Sequence, residues 1–406
     1  MKRFLLYLLL SVCLLPLSAQ DVVKQADSLF SRIDTLIKYK LPQGSNVAIS
    51  VYDLTDGKPL YGYQSDKLSR PASTMKLLTA ITALSQPQAD EPFRTEVWYK
   101  GVVKADTLHG DMYVIGGYDP EFSDEALDSL VSAVGRFPFS VVQGRIYGDV
   151  SMKDSLYWGS GWLWDDTPSS YQPYLSPLML DKGVVTVTAS PGERGETASL
   201  KCTPASSYYT LMNNTQTRTP SAGRFKVTRN WLTNGNNIVV TGNVEGRRAG
   251  AVNIFSSQDF FMHTFVERLK ARGIRCASDY YSFGEFQKDS ISTQMVCYET
   301  PVQDVVDQIM KESDNLDAEA MLCRLGVQST GKKHITAEDG LSAIRMLIKK
   351  LGYNPDHFSL ADGCGLSNYN YISPDLLVAF CGMLIPVPMY SRNYIRHFPS
   401  EEWTEH

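Results

Sequence analysis

The sequence predicts an α+β protein in which helix-rich segments at both ends of the chain enclose a strand-rich middle. Apolar residues alternate with smaller or polar ones over residues 47–52, the period-two pattern of a strand. Apolar residues recur at helical spacing over residues 77–84 and again over 305–325. Between about residues 93 and 290, short strand patterns are separated by turns rich in Gly, Asn and Ser. This order indicates one domain that is interrupted by an insertion.

The first elements along the chain are a helix, a hairpin and a second helix. An amphipathic pattern predicts a helix over residues 26–39. Residues 47–52 predict a strand, Asp56-Gly57 marks a tight turn, and residues 60–64 predict the returning strand. The next helix follows Pro71 and is opened by a serine, Ser73.

A polar stretch over residues 87–92 is the candidate domain boundary. We therefore predict that residues 20–88 and 294–406 form one domain, with an antiparallel sheet covered by helices. Residues 89–293 are predicted to be inserted into it. The length of 406 residues suits two or three domains at about 100–200 residues each.

Composition and charge exclude several classes of protein. The chain is 43% hydrophobic and 20% charged, which is a globular balance and not that of a disordered or fibrous protein. A net charge of −5 provides no basic field, so we predict no nucleic-acid partner. The seven cysteines include no Cys-x-x-Cys pair and the six histidines are scattered, so we predict no metal site and no cofactor.

The N-terminus predicts export. Lys2 and Arg3 precede an apolar run over residues 4–15, and Leu17-Ser18-Ala19 offers a small-residue cleavage site, the pattern of a signal peptide over residues 1–19. An uncleaved anchor is the alternative, but the run is shorter than the roughly 20 residues that span a bilayer. We expect an exported, periplasmic protein that is soluble or at most peripheral to the membrane.

Ser73-Thr74-Met75-Lys76 is the first candidate for chemistry. On a helix, Ser-x-x-Lys puts the hydroxyl and the amine one turn apart on one face. A serine is a weak nucleophile until a base takes its proton, which a partly desolvated lysine can do. Ser329-Thr330-Gly331-Lys332 also matches and is predicted to lie in a loop after a helix. The strand–hairpin–helix context favours Ser73, for which an N-cap serine is the alternative.

Ser313-Asp314-Asn315 is the second candidate. In a turn between two helices, the serine hydroxyl can relay a proton while the asparagine amide holds a substrate carbonyl. A helix cap is the alternative, because Ser, Asp and Asn all favour caps. Ser391-Arg392-Asn393 repeats the pattern. Ser-x-x-Lys and Ser-Asp-Asn, together with Lys-Thr-Gly, form the signature of class A β-lactamases and penicillin-binding proteins.

The sequence resembles the class C low-molecular-mass penicillin-binding proteins, the family of D-alanyl-D-alanine carboxypeptidases and endopeptidases. The resemblance covers roughly residues 30–385 and is specific because several segments combine with the two motifs. These segments are GDMYVIGGYDP over residues 110–120, WGSGWLWDD over 158–166, SDNLDAE over 313–319 and DGCGLS over 362–367. The 240 residues between Ser73 and Ser313 also suit a family with a large insertion at this point.

The resemblance implies a fold and a set of catalytic roles. It implies an α+β, penicillin-binding-protein/β-lactamase-like serine acyltransferase domain with a large strand-rich insertion. Ser73 would carry the acyl group, and Lys76, expected on an exposed helix face, would be the base. Ser313 would relay a proton, and Asn315 would hold the amide of the acyl side chain.

The resemblance also implies the substrate and its binding residues. Peptidoglycan stem peptides would be the substrates, and β-lactam antibiotics would acylate the protein. The resemblance does not separate a carboxypeptidase from an endopeptidase. Asp166, Tyr171 and Leu366 are the implied substrate-binding residues, and the Asp166 carboxylate would pair with an ammonium group of a stem peptide. The tryptophans of this region are either core residues or part of the cleft rim: Trp158, Trp162 and Trp164.

Three departures from the family pattern leave a second interpretation open. Cys364 replaces the family's serine, and Asn368 stands where the family usually has arginine. None of the lysines is followed by Ser-Gly or Thr-Gly, and the family pattern breaks after residues 374–380, so we expect a truncation before the third motif. The alternative is thus a non-catalytic or impaired family member that only binds peptidoglycan. A β-lactamase or esterase of the same fold fits the insertion less well.

Overall fold

A computed structural model of the protein describes residues 19–277 and 280–384, without the side chains of residues 19–27. Apart from Ala19, the predicted signal peptide lies outside the described residues. The second Ser-x-Asn pattern, at Ser391, also lies outside them, as does the break in the family pattern beyond residue 384.

The contacts within the chain divide it into two compact units. Among the described residues, the first unit consists of residues 19–69 and 373–378, and the second consists of residues 70–277, 280–372 and 379–384. The predicted division, with an insertion over residues 89–293, has different boundaries and stays a prediction.

The first unit contains helix α1 (Ala19–Tyr39) and a hairpin of strands β1 (Ile49–Asp53) and β2 (Lys58–Tyr63). The strands are antiparallel, with a bulge between Val51 and Tyr52. The carboxylate oxygen Oδ1 of Asp53 accepts hydrogen bonds from the backbone N–H groups of Thr55 and Asp56, which stabilises the turn. The predicted helix and hairpin are confirmed.

Two contacts of one tyrosine hold α1 on this hairpin. The ring of Phe30 stacks on the ring of Tyr61 at a centroid distance of 5.1 Å. The Tyr61 hydroxyl donates to Asp34 Oδ1 at 2.6 Å. The apolar face of the amphipathic helix thus covers an aromatic residue of β2.

The second unit contains most of the chain and alternates strands with helices. Its strands are β3 (Phe93–Lys104), β4 (Thr107–Gly116), β5 (Val141–Val142), β6 (Ile146–Asp149), β7 (Val184–Ser190), β8 (Ser199–Thr203), β9 (Thr210–Thr217), β10 (Lys226–Arg229), β11 (Asn237–Val244), β12 (Arg248–Asn253), β13 (Arg275–Cys276), β14 (Tyr281–Phe283) and β15 (Ser292–Thr300). Its helices are α2 (Met75–Leu84), α3 (Asp124–Val134), α4 (Ser257–Ala271), α5 (Val302–Asp307), α6 (Asn315–Thr330) and α7 (Ala337–Lys350). Helix α8 (Pro374–Gly382) begins in the first unit and ends in the second. The predicted strand-rich middle is confirmed.

Seven of the described strands form one sheet. The order is β13-β5-β4-β3-β15, and β6 pairs with β4 while β14 pairs with β6. The long hairpin of β3 and β4 turns at Ala105, which takes a φ of +53°. Two three-stranded sheets, β10-β11-β9 and β12-β7-β8, complete the strand-rich part.

The main hydrophobic core lies between the sheets and helices α3 and α4. Helix α3 begins at a serine cap, because the Ser123 hydroxyl accepts from the backbone N–H of Ala126. The fully buried core residues include Val97, Met112, Val114, Leu127, Val131, Phe260, Phe261, Phe265 and Leu269. This core joins the sheets of the strand-rich part to helices α3 and α4.

Helices α6 and α7 pack closely and carry part of the candidate site. A Cβ atom at Gly340 would lie 2.2 Å from the backbone oxygen of Leu322, so only glycine lets the two helices approach this closely. A capping box of Thr336 and Asp339 starts α7. None of the described helices combines the length and apolar character that crossing a membrane requires.

Candidate active site

Ser73 and Lys76 lie at the start of α2. A 3₁₀ turn over Ala72–Thr74 leads into the helix, so the serine is exposed at the helix entrance. One turn later, Lys76 is only 1% exposed, which corrects the expectation of an exposed helix position. The apolar neighbours of α2 explain the difference, because Met75, Leu78 and other residues around the lysine are also buried.

The amine of Lys76 contacts three oxygens. Its Nζ lies 3.3 Å from Ser73 Oγ, 2.6 Å from Asn315 Oδ1 and 2.8 Å from the backbone oxygen of Cys364. Burial lowers the pKa of Lys76, while nearby carboxylates including Glu319 oppose the shift. The lysine is therefore closer to deprotonation than an exposed lysine, and it faces a serine hydroxyl.

Ser313 and Asn315 flank the start of α6. A π-helical turn over Gln308–Glu312 ends at Ser313, which takes a left-handed φ of +57°. The cap of α6 is Asp314, whose side chain accepts from the backbone N–H of Asp317 at 3.1 Å. Because Asp314 fills the capping position, the cap alternative does not account for Ser313 or Asn315.

The side chain of Asn315 links two parts of the site. Its Oδ1 accepts from Lys76, and its Nδ2 donates to the backbone oxygen of Tyr171 at 2.8 Å. A cavity of about 490 Å³ is lined by Ser313, Asn315, Tyr171 and Lys182, among others. Ser73 and Lys76 are not part of this lining. The Lys76 amine is connected to the cavity by its hydrogen bond to Asn315, which does line it.

The three predicted substrate-binding residues lie in two loops. Asp166 ends a 3₁₀ turn over Trp164–Asp166 and accepts a hydrogen bond of 2.8 Å from the Tyr171 hydroxyl. Hydrogen bonds therefore connect Asp166 through Tyr171 to Asn315. Leu366 is half-buried, two residues after the Cys364 carbonyl that contacts Lys76. Their predicted role in substrate binding stays a prediction.

The tryptophans of this region are not core residues. Trp158 and Trp164 are 42% and 71% exposed, and Trp164 packs against Trp231 at a ring distance of 5.3 Å. Trp162 is half-buried and donates its indole N–H to Asp362 Oδ2 at 2.9 Å. The structure thus favours the rim over the core alternative.

Two buried carboxylates that sequence reasoning left without a role shape the loop at residues 362–367. Glu319 Oε1 accepts from the backbone N–H groups of Gly363 and Cys364, at 2.8 and 2.9 Å. These bonds hold the Cys364 peptide so that its carbonyl oxygen meets Lys76. Asp362 accepts from the backbone N–H groups of Gly365 and Ser367. The only sequence signal for both carboxylates was their place in the SDNLDAE and DGCGLS segments.

The same loop approaches the entrance of α2 very closely. Gly365 has a φ of +88°, and a Cβ atom there would lie 1.8 Å from the backbone oxygen of Ala72. Any larger residue would push the loop away from the turn that carries Ser73. The glycine therefore maintains the distance between Lys76 and the Cys364 carbonyl.

One group of side chains has the composition of a metal site. Ligand atoms of Glu319, Asp362 and Cys364 lie within 4.8 Å of one another. The carboxylate oxygens already accept the N–H donors described above, and burial raises the pKa of the Cys364 thiol well above its ordinary value. A metal prefers thiolate to thiol, so this donor set fits an anchor for the loop better than a metal centre.

The second Ser-x-x-Lys match differs from its predicted position. Ser329 lies in the last turn of α6, not in a loop, and its hydroxyl donates to the backbone oxygen of Gly326. Lys332 follows the helix cap Gly331 and pairs with Asp339 at 2.6 Å. The serine and the lysine therefore have other partners, which removes the competing candidate.

Comparison with known proteins assigns the fold. The crystal structure of penicillin binding protein 4 from Haemophilus influenzae matches with a TM-score of 0.71 at 20% identity, over 87% of this chain and 77% of that chain. The same protein complexed with a novel β-lactam matches with a TM-score of 0.64, at 19% identity. The predicted α+β, penicillin-binding-protein-like fold class is confirmed.

Sequence comparison assigns the family. The model of the D-Ala-D-Ala carboxypeptidase 3 (S13) family matches residues 29–399, and the chain belongs to this family. A D-alanyl-D-alanine carboxypeptidase from Actinomadura sp. (strain R39) is 28% identical over 368 residues, 88% of this chain and 68% of that protein. A D-alanyl-D-alanine carboxypeptidase from Haemophilus influenzae is 21% identical over 344 residues, 84% of this chain and 71% of that protein. The predicted family and enzyme class are confirmed.

Proposed function

We propose that this protein is a serine D-alanyl-D-alanine carboxypeptidase or endopeptidase that acts on peptidoglycan stem peptides through an acyl-enzyme on Ser73. Penicillin acylates the same serine. One observation carries the assignment of residues: the buried amine of Lys76 lies 3.3 Å from the exposed Ser73 hydroxyl while it contacts Asn315 and the Cys364 carbonyl. Membership of the D-Ala-D-Ala carboxypeptidase 3 (S13) family supports the substrate class.

Acylation begins with proton transfer from Ser73 to Lys76. A neutral amine has two N–H bonds and one lone pair, and its two short contacts, to Asn315 and to the Cys364 oxygen, use the N–H bonds. The lone pair then faces Ser73 Oγ. As Lys76 takes the proton, Oγ bonds to the carbonyl carbon of the D-alanyl peptide bond, and the C–N bond breaks once the amine is protonated. The product is an ester on Ser73.

Ser313 and Asn315 complete the reaction. Ser313 is exposed at the cavity and relays the proton from the Lys76 ammonium group to the leaving amine, which leaves Lys76 neutral again. Asn315 uses one N–H of its amide on the Tyr171 carbonyl, so the other N–H is available to the substrate's acyl side chain. Water then attacks the ester while its proton passes to the Lys76 amine, and the Lys76 ammonium group returns this proton to Ser73 Oγ as the ester C–O bond breaks.

The cleft next to Asn315 binds the stem peptide. Asp166 supplies a carboxylate for an ammonium group of the stem, and the Tyr171 hydroxyl fixes its orientation. Leu366 provides apolar surface on the same loop that contacts Lys76 through Cys364. This set suits a peptide that carries both a cation and aliphatic atoms.

We further propose that the protein is exported and periplasmic, where peptidoglycan is accessible. The basic residues Lys2 and Arg3, the apolar run and the small residues before Ala19 support this location. Expression with a C-terminal reporter and sequencing of the mature N-terminus tests it. A mature chain that begins near residue 20 in the periplasmic fraction is expected, and full-length chain in the cytoplasm contradicts it.

A fluorescent penicillin tests the acyl-enzyme. The purified protein is labelled, digested and examined by mass spectrometry, and we expect the label on the peptide that contains Ser73. Ser73→Ala abolishes the label, whereas the matched variant Ser329→Ala keeps it. Label on Ser329, or undiminished label in Ser73→Ala, contradicts the proposal.

Turnover separates the enzyme from a protein that only binds peptidoglycan. D-alanine release from a pentapeptide stem is expected for a carboxypeptidase, and cleavage of cross-linked stem dimers is expected for an endopeptidase. Binding of peptidoglycan without acylation by penicillin or release of any product would favour the non-catalytic alternative.

A further inference from the structure

A turn before β7 places one lysine next to the start of α6. Asp181, Lys182 and Gly183 take consecutive φ values of +43°, +60° and +67°. The left-handed region is unfavourable for residues with a Cβ atom, so the surroundings must hold this turn. They do so through Asp181, whose backbone N–H bonds to Phe122 and whose carboxylate accepts from the backbone N–H of Asp124.

The ammonium group of Lys182 contacts three carboxylates. Its Nζ lies 2.9 Å from Asp314 Oδ2 and 2.6 Å from Asp317 Oδ2, and it also pairs with Glu121. The side chain of Asp317 is completely buried, and burial raises the pKa of this carboxyl, whereas the Lys182 ammonium group lowers it and so favours the carboxylate form. Burial alone would lower the pKa of Lys182, but the carboxylates raise it above its ordinary value, which keeps the lysine charged.

Two of these carboxylates lie on either side of Asn315. Asp314 is the cap of α6, and it uses one oxygen for the backbone N–H of Asp317 and the other for Lys182. Asp317 lies in the first turn of the same helix. The lysine thus connects the cap of α6 to its first turn, and it thereby fixes the segment that carries Ser313 and Asn315.

We propose that Lys182 is a positioning residue of the active site, whose ammonium group holds Asp314 and Asp317 so that Ser313 and Asn315 keep their places relative to Lys76. This inference rests on the proposed function and extends it to a residue about 130 positions away in sequence. Without the cation, the buried Asp317 would lose its ion-pair partner and the second oxygen of Asp314 would lose its donor, so the start of α6 would rearrange. Asn315 would then lose its alignment with the Lys76 amine.

The test compares Lys182→Met with Lys182→Arg. Methionine keeps the length without the charge, and we expect the rate constant of penicillin acylation, counted per active site, to fall about 10- to 100-fold, as for a small misplacement of reacting groups. Arginine keeps the charge and recovers most of the rate. Acylation by Lys182→Met at the wild-type rate, even with a lowered melting temperature, would reduce Lys182 to a structural role and overturn the proposal.

A double variant tests whether Lys182 acts through Asn315. If it does, Lys182→Met slows the Asn315→Ala protein by a smaller factor than it slows the wild type, because one of the positioned groups is already absent. Rate losses that multiply in the double variant contradict the proposal. If Lys182→Met does not fold, Asp317→Asn removes one of the negative charges that the cation pairs with, and an unchanged acylation rate in this variant, once it is shown to fold, is equally contradictory.

Lys100→Met is the matched control. Lys100 is similarly sheltered, at 20% side-chain exposure against 26% for Lys182, and it contacts Asp289 at 2.7 Å. Unlike Lys182, neither Lys100 nor Asp289 lines the cavity next to Asn315. This variant should acylate at the wild-type rate, and a loss equal to that of Lys182→Met would make the effect nonspecific and refute the assignment. Failure of the wild-type protein to be acylated would instead refute the proposed function.

Discussion

The amine of Lys76 is buried beside an exposed serine hydroxyl, and this arrangement governs the chemistry of single residues in the site. Burial disfavours the ammonium form, whereas the carboxylates of Glu319 and Asp362 favour it. The net effect lowers the pKa of Lys76 and increases the fraction of neutral amine. A neutral amine is the form that can accept the proton of Ser73.

Removing the amine should abolish most of the acylation. Lys76→Ala is expected to lower the rate of penicillin acylation by about 10²- to 10⁴-fold, the usual range for a lost general base. Since the side chain is buried, the variant also leaves Asn315 Oδ1 and the Cys364 oxygen without this donor, at about 1–3 kcal/mol of unfolding free energy. Labelling kinetics and denaturant unfolding measure the two effects. The control Lys332→Ala removes an exposed lysine and should change neither; labelling of Lys76→Ala at the wild-type rate would refute the assignment.

The pH dependence of acylation should follow the charge around Lys76. The rate is expected to rise with pH as the amine loses its proton, with an apparent pKa below the ordinary value of lysine. Asn315→Asp places a carboxylate near Nζ and should move this limb to higher pH, because a negative charge favours the ammonium form. Glu319→Gln removes a negative charge and should move it to lower pH. Stopped-flow labelling of the wild type and the two variants across pH is the measurement. A shift to lower pH in Asn315→Asp, or to higher pH in Glu319→Gln, would exclude Lys76 as the titrating group.

At the scale of elements, different residues at the start of α6 cap the helix and face the cleft. Asp314 supplies the cap, so Ser313 in its left-handed conformation and Asn315 in the first turn are available to the cleft. The close approach of Gly365 to Ala72 brings a loop to the entrance of α2 from the other side. The site is thus assembled from two helix starts and one loop.

Ser313→Ala and Asn315→Ala should each lower acylation by about 10²- to 10⁴-fold, as expected for a lost proton relay or a lost polar stabilising group. The melting temperature of Ser313→Ala should change little, since its side chain caps no helix, whereas Asn315→Ala also loses the hydrogen bonds to Lys76 and Tyr171 and should cost about 1–3 kcal/mol of unfolding free energy. Thr336→Ala, which removes the cap of α7, is the matched comparison and should cost about 1 kcal/mol of stability without slowing acylation. Measuring rate and melting temperature on all three separates the roles. Unchanged kinetics with a lowered melting point in Ser313→Ala or Asn315→Ala would favour the capping alternative.

At the scale of the whole molecule, buried carboxyl groups link stability to pH. Burial raises the pKa of Asp119 and Asp181 to about 6 and that of Glu319 to about 7. The folded protein therefore binds these protons more tightly than the unfolded chain does. Their contribution to stability is complete below the unfolded pKa and is lost as the pH rises through the folded pKa.

The unfolding free energy should therefore fall between about pH 4.5 and pH 7. Glu319→Gln keeps an oxygen that accepts from Gly363 and Cys364 but has no charge, so it should flatten this decrease. Thermal unfolding of both proteins across this range is the measurement. A stability that rises over the window, or an identical slope in the variant, would contradict the assigned titration.

Local sequence determined the elements and the candidate residues because their signals act over a few positions. The spacing of Ser73 and Lys76 on a helix, the strand–turn–strand pattern before it and the Ser313–Asn315 turn all follow from nearest neighbours along the chain. The resemblance to penicillin-binding proteins rests on short segments of the same kind. The family and the fold class of the protein were therefore predictable from the sequence alone.

Only the tertiary structure decided how these residues meet. It placed Lys76 in the interior, made Asp314 the cap, and brought the Cys364 carbonyl, 288 positions away in sequence, to the Lys76 amine. It also brought Lys182 into contact with Asp314 and Asp317, and it placed Glu319 where its carboxylate accepts from the backbone of the loop at residues 362–367. The physical reason is that burial and hydrogen bonding between distant segments depend on packing, and no local pattern of residue types specifies which segments will be packed together.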